Sequence, residues 1–135
     1  YVNVVYCATF SPDGTKVLTG GWNEARLWDA STGQIIRILL SKTIESADFS
    51  PDGTKAILGD GSSRAYLCEV ETGRLLKTIV PRTQAPAGSF GLPCAVAYSP
   101  DGEHVLVAPS YAQPSLWPVA DPTTPTLSTN WTGYR

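Results

Sequence analysis

Phe10-Ser11-Pro12-Asp13-Gly14-Thr15-Lys16 is the stretch on which the fold turns, because the chain repeats it. It returns as Phe49-Ser50-Pro51-Asp52-Gly53-Thr54-Lys55 and, edited, as Tyr98-Ser99-Pro100-Asp101-Gly102-Glu103-His104. Each copy suits a tight turn. Ser occupies position i, Pro pre-sets φ at i+1, Asp tolerates the bridge region, and Gly supplies the positive φ that closes the bend. Apolar runs lie before the turns (Val4 to Phe10, Ile44 to Phe49, Cys94 to Tyr98) and after them (Val17-Leu18, Ala56-Ile57-Leu58, Val105-Leu106-Val107). Strand, turn and strand make a hairpin.

The copies are 39 and then 49 residues apart. A period of about 40 residues built from short strands predicts propeller blades. The second half of each unit repeats as well. Ala25-Arg26-Leu27-Trp28-Asp29-Ala30-Ser31-Thr32-Gly33 is answered by Ala65-Tyr66-Leu67-Cys68-Glu69-Val70-Glu71-Thr72-Gly73 and by Pro114-Ser115-Leu116-Trp117-Pro118-Val119-Ala120. Trp28 follows Phe10 by 18 residues, and Cys68 and Trp117 follow their aromatic partners by 19. Fourth strands are expected at 35–40 and 75–80, after Gly33 and Gly73. The expected class is all-β: three four-stranded antiparallel sheets in one domain. Blade 1 is expected at about 4–40, blade 2 at about 43–80, a loop insertion at 81–93, blade 3 at about 94–129 and a tail at 130–135.

Composition narrows the functional classes. A chain of 135 residues suits one domain. A formal charge of −2 gives no reason to expect nucleic acid or an anionic membrane as a partner. The longest apolar run is far short of the ~20 residues of a spanning helix, so a soluble protein is expected. Three cysteines cannot pair completely, which favours a reducing, cytoplasmic compartment over a disulfide framework. The chain starts at Tyr1 and holds no Met, so it reads as a fragment or a processed or engineered piece without initiator or signal peptide.

The Phe-Ser-Pro-Asp-Gly turn, Leu27-Trp28-Asp29 and Ser31-Thr32-Gly33 together resemble the blades of the WD-repeat β-propeller family. Departures accompany the resemblance. The family's Gly-His before the first strand is replaced by Ser41-Lys42 and Leu92-Pro93, and its Asp between the second and third strands can be supplied only by Asp60 or Asn23. The family's His-Ser/Thr-Asp-Trp hydrogen-bond network is therefore incomplete in every blade, and packing is expected to hold the blades together. The resemblance implies a non-enzymatic platform that binds other proteins or peptides through a rim of loops. Rim candidates are Trp22, Asn23, Lys42, Phe90 and Tyr111. Propellers close with about four to eight blades. Three blades therefore predict two open flanks, completed by a missing parent segment or by self-association into a six-bladed dimer. Two alternatives stand beside the platform: a self-assembling structural unit, and a rim that stacks a small ligand or glycan on Trp22, Phe90 and Tyr111.

No catalytic residue, metal site or cofactor is expected. His104 aligns with Lys16 and Lys55 at the start of a strand and reads as solvated. Cys7 and Cys94 fall in first strands and Cys68 takes the place of the blade Trp, so all three read as apolar packing. No Cys-x-x-Cys, His-x-x-His or phosphate-binding Gly loop occurs. Asp13, Asp52 and Asp101 read as turn residues. Asn130-Trp131-Thr132 matches a glycosylation acceptor only formally, and Trp131 and Tyr134 are expected to latch the tail onto a neighbouring blade or to fray.

Overall fold

The structure, a computed structural model, describes residues 4–81, 86 and 93–120. The repeated turn closes as its composition dictates. Gly14 N–H donates to the Ser11 carbonyl at 2.9 Å with Gly14 at φ +74°. The Asp13 carboxylate accepts from Ser11 Oγ (2.7 Å), Thr15 N (2.9 Å) and Thr15 Oγ1 (2.8 Å). Asp52 repeats these bonds with Ser50 and Thr54 at 2.7, 2.9 and 2.8 Å. Asp101 accepts from Ser99 Oγ (2.5 Å) and Glu103 N (2.9 Å). The three carboxylates serve the turns.

Around these turns lie eleven strands among the described residues. Sheet 1 is β1 (Val5–Phe10), β2 (Lys16–Gly21), β3 (Ala25–Asp29) and β4 (Ile35–Leu40), paired antiparallel in chain order. Sheet 2 is β5 (Ile44–Phe49), β6 (Lys55–Asp60), β7 (Ala65–Glu69) and β8 (Leu75–Ile79). Sheet 3 comprises β9 (Cys94–Tyr98), β10 (His104–Pro109) and β11 (Ser115–Pro118). The fourth strand expected for sheet 3, the tail with Trp131 and Tyr134, and most of the 81–93 insertion fall outside the described residues.

Cross-strand partners share a face, and the next pair along points the other way. The register therefore gives each sheet an aromatic row and an aliphatic row on opposite faces. Phe10–Val17–Trp28, Phe49–Ala56–Cys68 and Tyr98–Val105–Trp117 form the first set. Leu18–Leu27, Ile57–Leu67 and Leu106–Leu116 form the second. The aliphatic face of one sheet packs on the aromatic face of the next. Leu18, Ala25, Leu27 and Leu39 meet Phe49, Ala56, Tyr66 and Cys68 in one core. Ile57, Ala65, Leu67 and Ile79 meet Val105, Val107 and Trp117 in the second.

Close approach between sheets falls on two equivalent glycines. A Cβ on Gly59 would stand 2.0 Å from the Cys94 carbonyl oxygen, and one on Gly20 would stand 2.8 Å from that of Ile44. Seam 2|3 also carries polar stitches: Asp48 accepts from Tyr98 N at 2.8 Å, and Ser46 Oγ accepts from Val96 N at 3.2 Å. No described sheet packs on the aromatic face of sheet 1, where Phe10 is 68% exposed.

Candidate interaction rim

Antiparallel pairing puts the β2–β3, β6–β7 and β10–β11 turns and the β4–β5 connection at one end of the sheets, away from the Ser-Pro-Asp-Gly turns. Trp22 and Asn23 lie in the β2–β3 turn, which closes by a bond from Gly21 N to the Glu24 carbonyl at 3.1 Å. Trp22 N donates to the Val4 carbonyl at 3.0 Å, and its own carbonyl accepts from Thr43 Oγ1 in the β4–β5 connection. The backbone is thus pinned on both sides while the indole is 58% exposed. Lys42, the neighbour of Thr43, sets its ammonium 5.7 Å above the ring centre of buried Tyr66, within cation–π range.

Tyr111 lies in the β10–β11 turn, 60% exposed and at φ +58°, the left-handed region that a bulky residue seldom enters. Its turn is tied to the start of β9 because Ser110 N and Ser110 Oγ both donate to the Pro93 carbonyl, at 3.1 and 3.0 Å. Trp22, Asn23 and Lys42 are therefore brought together at one seam, and Tyr111 shares their end of the molecule two sheets away. Phe90 lies outside the described residues.

Beneath Lys42 is a polar cluster that the sequence reading saw only in part. Asp60, 6% exposed, accepts from Ser62 N (2.8 Å), Arg64 N (2.9 Å) and the Tyr66 hydroxyl (2.8 Å). Burial, reinforced by the bond to Asp60, pushes the Tyr66 hydroxyl up to about 12. Asp60 does serve as the turn Asp of its blade. Its buried partner is a tyrosine on β7, which spacing to a family histidine could not reveal.

The thiols and the third turn hold further titratable groups. Burial pushes the Cys68 thiol up to about 11 and the Cys94 thiol up to about 12, and raises Cys7 as well. A thiol must lose its proton to attack, so these sulfurs are inert packing. Asp101, Glu103 and His104 bring ligand atoms within 4.8 Å of one another beside the third turn. Neither Cys-x-x-Cys nor His-x-x-His describes this group, whose two residues three apart are Asp101 and His104. Its Asp101 oxygen is already engaged by Ser99 and Glu103.

The family model for the WD domain, G-beta repeat, matches residues 2–29, which hold the first Ser-Pro-Asp-Gly turn and Trp28-Asp29. Residues 2–29 are thus similar to a single WD repeat. The crystal structure of RRP9 WD40 repeats is similar at 14% identity and a TM-score of 0.76, over 89% of this chain and 37% of that one. The structure of U3-55K gives the same figures. Kuenenia stuttgartiensis hydrazine synthase is similar at 17% identity and a TM-score of 0.69, over 86% of this chain and 33% of that one. At such identities the likeness is one of fold. The chain spans about a third of the length of the solved structures it matches. No curated protein sequence matches it. Among the described residues no helix is long and apolar enough to cross a membrane.

The WD-type Trp of blade 1 is only half-buried. Trp28 Nε1 donates to Thr19 Oγ1 at 2.9 Å, and the Arg26 guanidinium, ion-paired with Glu24, lies 5.8 Å from its ring centre. Its counterpart Trp117 is 8% exposed inside seam 2|3.

Proposed function

We propose that this WD-repeat chain is a non-enzymatic module that binds other proteins or peptides through its loop rim. The observation that carries the reading is Trp22: its backbone is held by Val4 and Thr43, yet its indole stands in solvent. Trp and Tyr on a fixed backbone lose little conformational freedom on binding and dominate interface energetics. Tyr111 offers the same at the same end. Lys42 and Asn23 flank Trp22 as polar contacts.

The test is a set of peptides selected on the immobilised chain and then measured against Trp22→Ala and Tyr111→Ala. Truncating a binding anchor costs about 2 kcal/mol or more, close to thirtyfold in affinity. Unchanged affinity in both variants, with the fold intact by circular dichroism, overturns the rim. A second reading, self-association, is favoured by the open aromatic face around Phe10. A six-bladed dimer requires a native mass that rises with concentration. It also requires a partner face that tolerates Ala108, which stands where Gly20 and Gly59 stand in the other sheets.

A further inference from the structure

The end of the molecule opposite the rim carries a groove of about 480 Å³ between sheets 1 and 2. Its apolar floor is Leu27, Ile36 and Val70, and the acidic residues Asp13, Asp52, Glu69 and Glu71 are among those that line it. Lys16 is the cation beside them, and Arg37 closes one end, where its side chain lies against Gly73. No ion pair joins these carboxylates to a described cation. The Asp13 and Asp52 carboxyls are held down to about 2 by backbone N–H groups of their turns, so they stay charged at any physiological pH.

Seam 2|3 shows that this groove is not a property of every seam. There the hollow at the same end is about 140 Å³. Leu76 packs into that core with Val119, whereas Ile36 is 40% exposed beside Val70. Lys55 pairs with Glu69 across sheet 2 as His104 pairs with Pro118 across sheet 3, so Pro118 replaces the acid at the second seam. Ala120, next but one, stands where Glu71 does. Both acids and the uncovered isoleucine belong to seam 1|2 alone.

We propose that this groove docks a basic peptide segment, with one aliphatic side chain seated on Leu27, Ile36 and Val70 and flanking Lys or Arg side chains on the acidic rim. The occupant follows from charge complementarity: four acidic residues line the groove with two basic ones, of which Arg37 lies against Gly73. A cationic segment is also concentrated near such a surface before it docks. This site is independent of the rim.

The test uses fluorescein-labelled Gly-Lys-Arg-Leu-Lys-Gly and its acidic counterpart Gly-Glu-Asp-Leu-Glu-Gly, titrated with the full chain by anisotropy. Saturable binding of the basic peptide is expected, weakened by salt and weakened about tenfold in Glu69→Gln/Glu71→Gln and in Ile36→Ser. Glu103→Gln at the other seam and Trp22→Ala on the rim leave it unchanged. Equal binding of the acidic peptide, unchanged affinity in the groove variants, or an equal loss with Trp22→Ala overturns the proposal. A photoreactive leucine analogue in the basic peptide tests the unmodified chain as well. Labelling is expected on 27–37 and 69–71, and labelling confined to other segments overturns the site.

Discussion

Phe10 and Phe49 occupy the same place in the same seven-residue motif, and one is 68% exposed while the other is 4% exposed. Each stands at the head of its aromatic row, and each row lies on the same face of its sheet. The difference is the neighbour. Phe49 is covered by Leu18, Leu27 and Leu39 of sheet 1, and no described sheet stands in that place before Phe10. A blade thus carries the pattern for burial but not the burial itself. Half of its core is supplied by the sheet alongside.

The largest test of that contrast removes both rings. Phe49→Ala is expected to cost about 3–5 kcal/mol, as large-to-small changes in a packed core do. Phe10→Ala is expected to stay within about 0.5 kcal/mol, the range of surface substitutions. Chemical denaturation of the two variants measures both. If Phe10→Ala costs as much as Phe49→Ala and its cost grows with protein concentration, a second copy covers the open face.

A smaller effect probes the seam from the other side. Gly59→Ala puts a methyl group against the Cys94 backbone, and overpacking of this kind costs about 1–3 kcal/mol. Ala108, at the corresponding place in sheet 3, already carries that methyl, so Ala108→Gly is expected to bring no matching gain. A stability unchanged by Gly59→Ala would mean that seam 2|3 has slack, contrary to the geometry.

The smallest effect is the control, because the turns of sheets 1 and 2 do not share the contrast. Backbone N–H groups hold the Asp13 and Asp52 carboxyls at about 2 against an ordinary 3.8. A depressed folded-state value means that the stabilisation is fully present above pH 3.8 and is lost as pH falls through about 2. Melting temperature is expected to hold from neutral pH to about pH 4 and then to fall. Asp13→Asn and Asp52→Asn are expected to flatten that fall by similar amounts, however exposed the nearby rings are. Unequal effects would show that the turns feel the open face.

The turns and the strand order were legible because local chemistry dictates them. Ser, Pro, Asp and Gly each have one reason to stand where they do, and alternation assigns the faces. What escaped reading depends on pairs far apart in the chain. Nothing in Phe-Ser-Pro-Asp-Gly says which copy will be covered. Asp60 could be marked as a turn residue, but its buried bond to Tyr66 appears only when β6 and β7 pair. Ile36 and Leu76 are both aliphatic residues at the start of a fourth strand, and only the sheet beyond decides that one lines a groove and the other fills a core. That Trp22 and Tyr111 stand exposed in their turns follows from the same local chemistry, because a large ring in a short polar turn has little to pack on.

The cysteines have a consequence of their own. Cys68 is wholly buried in the core between sheets 1 and 2, and Cys94 is 1% exposed in the core between sheets 2 and 3. Cys7 is half-buried on the first strand. Each internal contact surface therefore encloses one wholly buried thiol, Cys68 or Cys94, with half-buried Cys7 packed against the first, and a reagent reaches either buried sulfur only when its surface parts. The rates at which Cys68 and Cys94 are modified, followed one by one by mass, clock the breathing of the two joints separately in an unaltered chain. The molecule comes with its own pair of strain gauges.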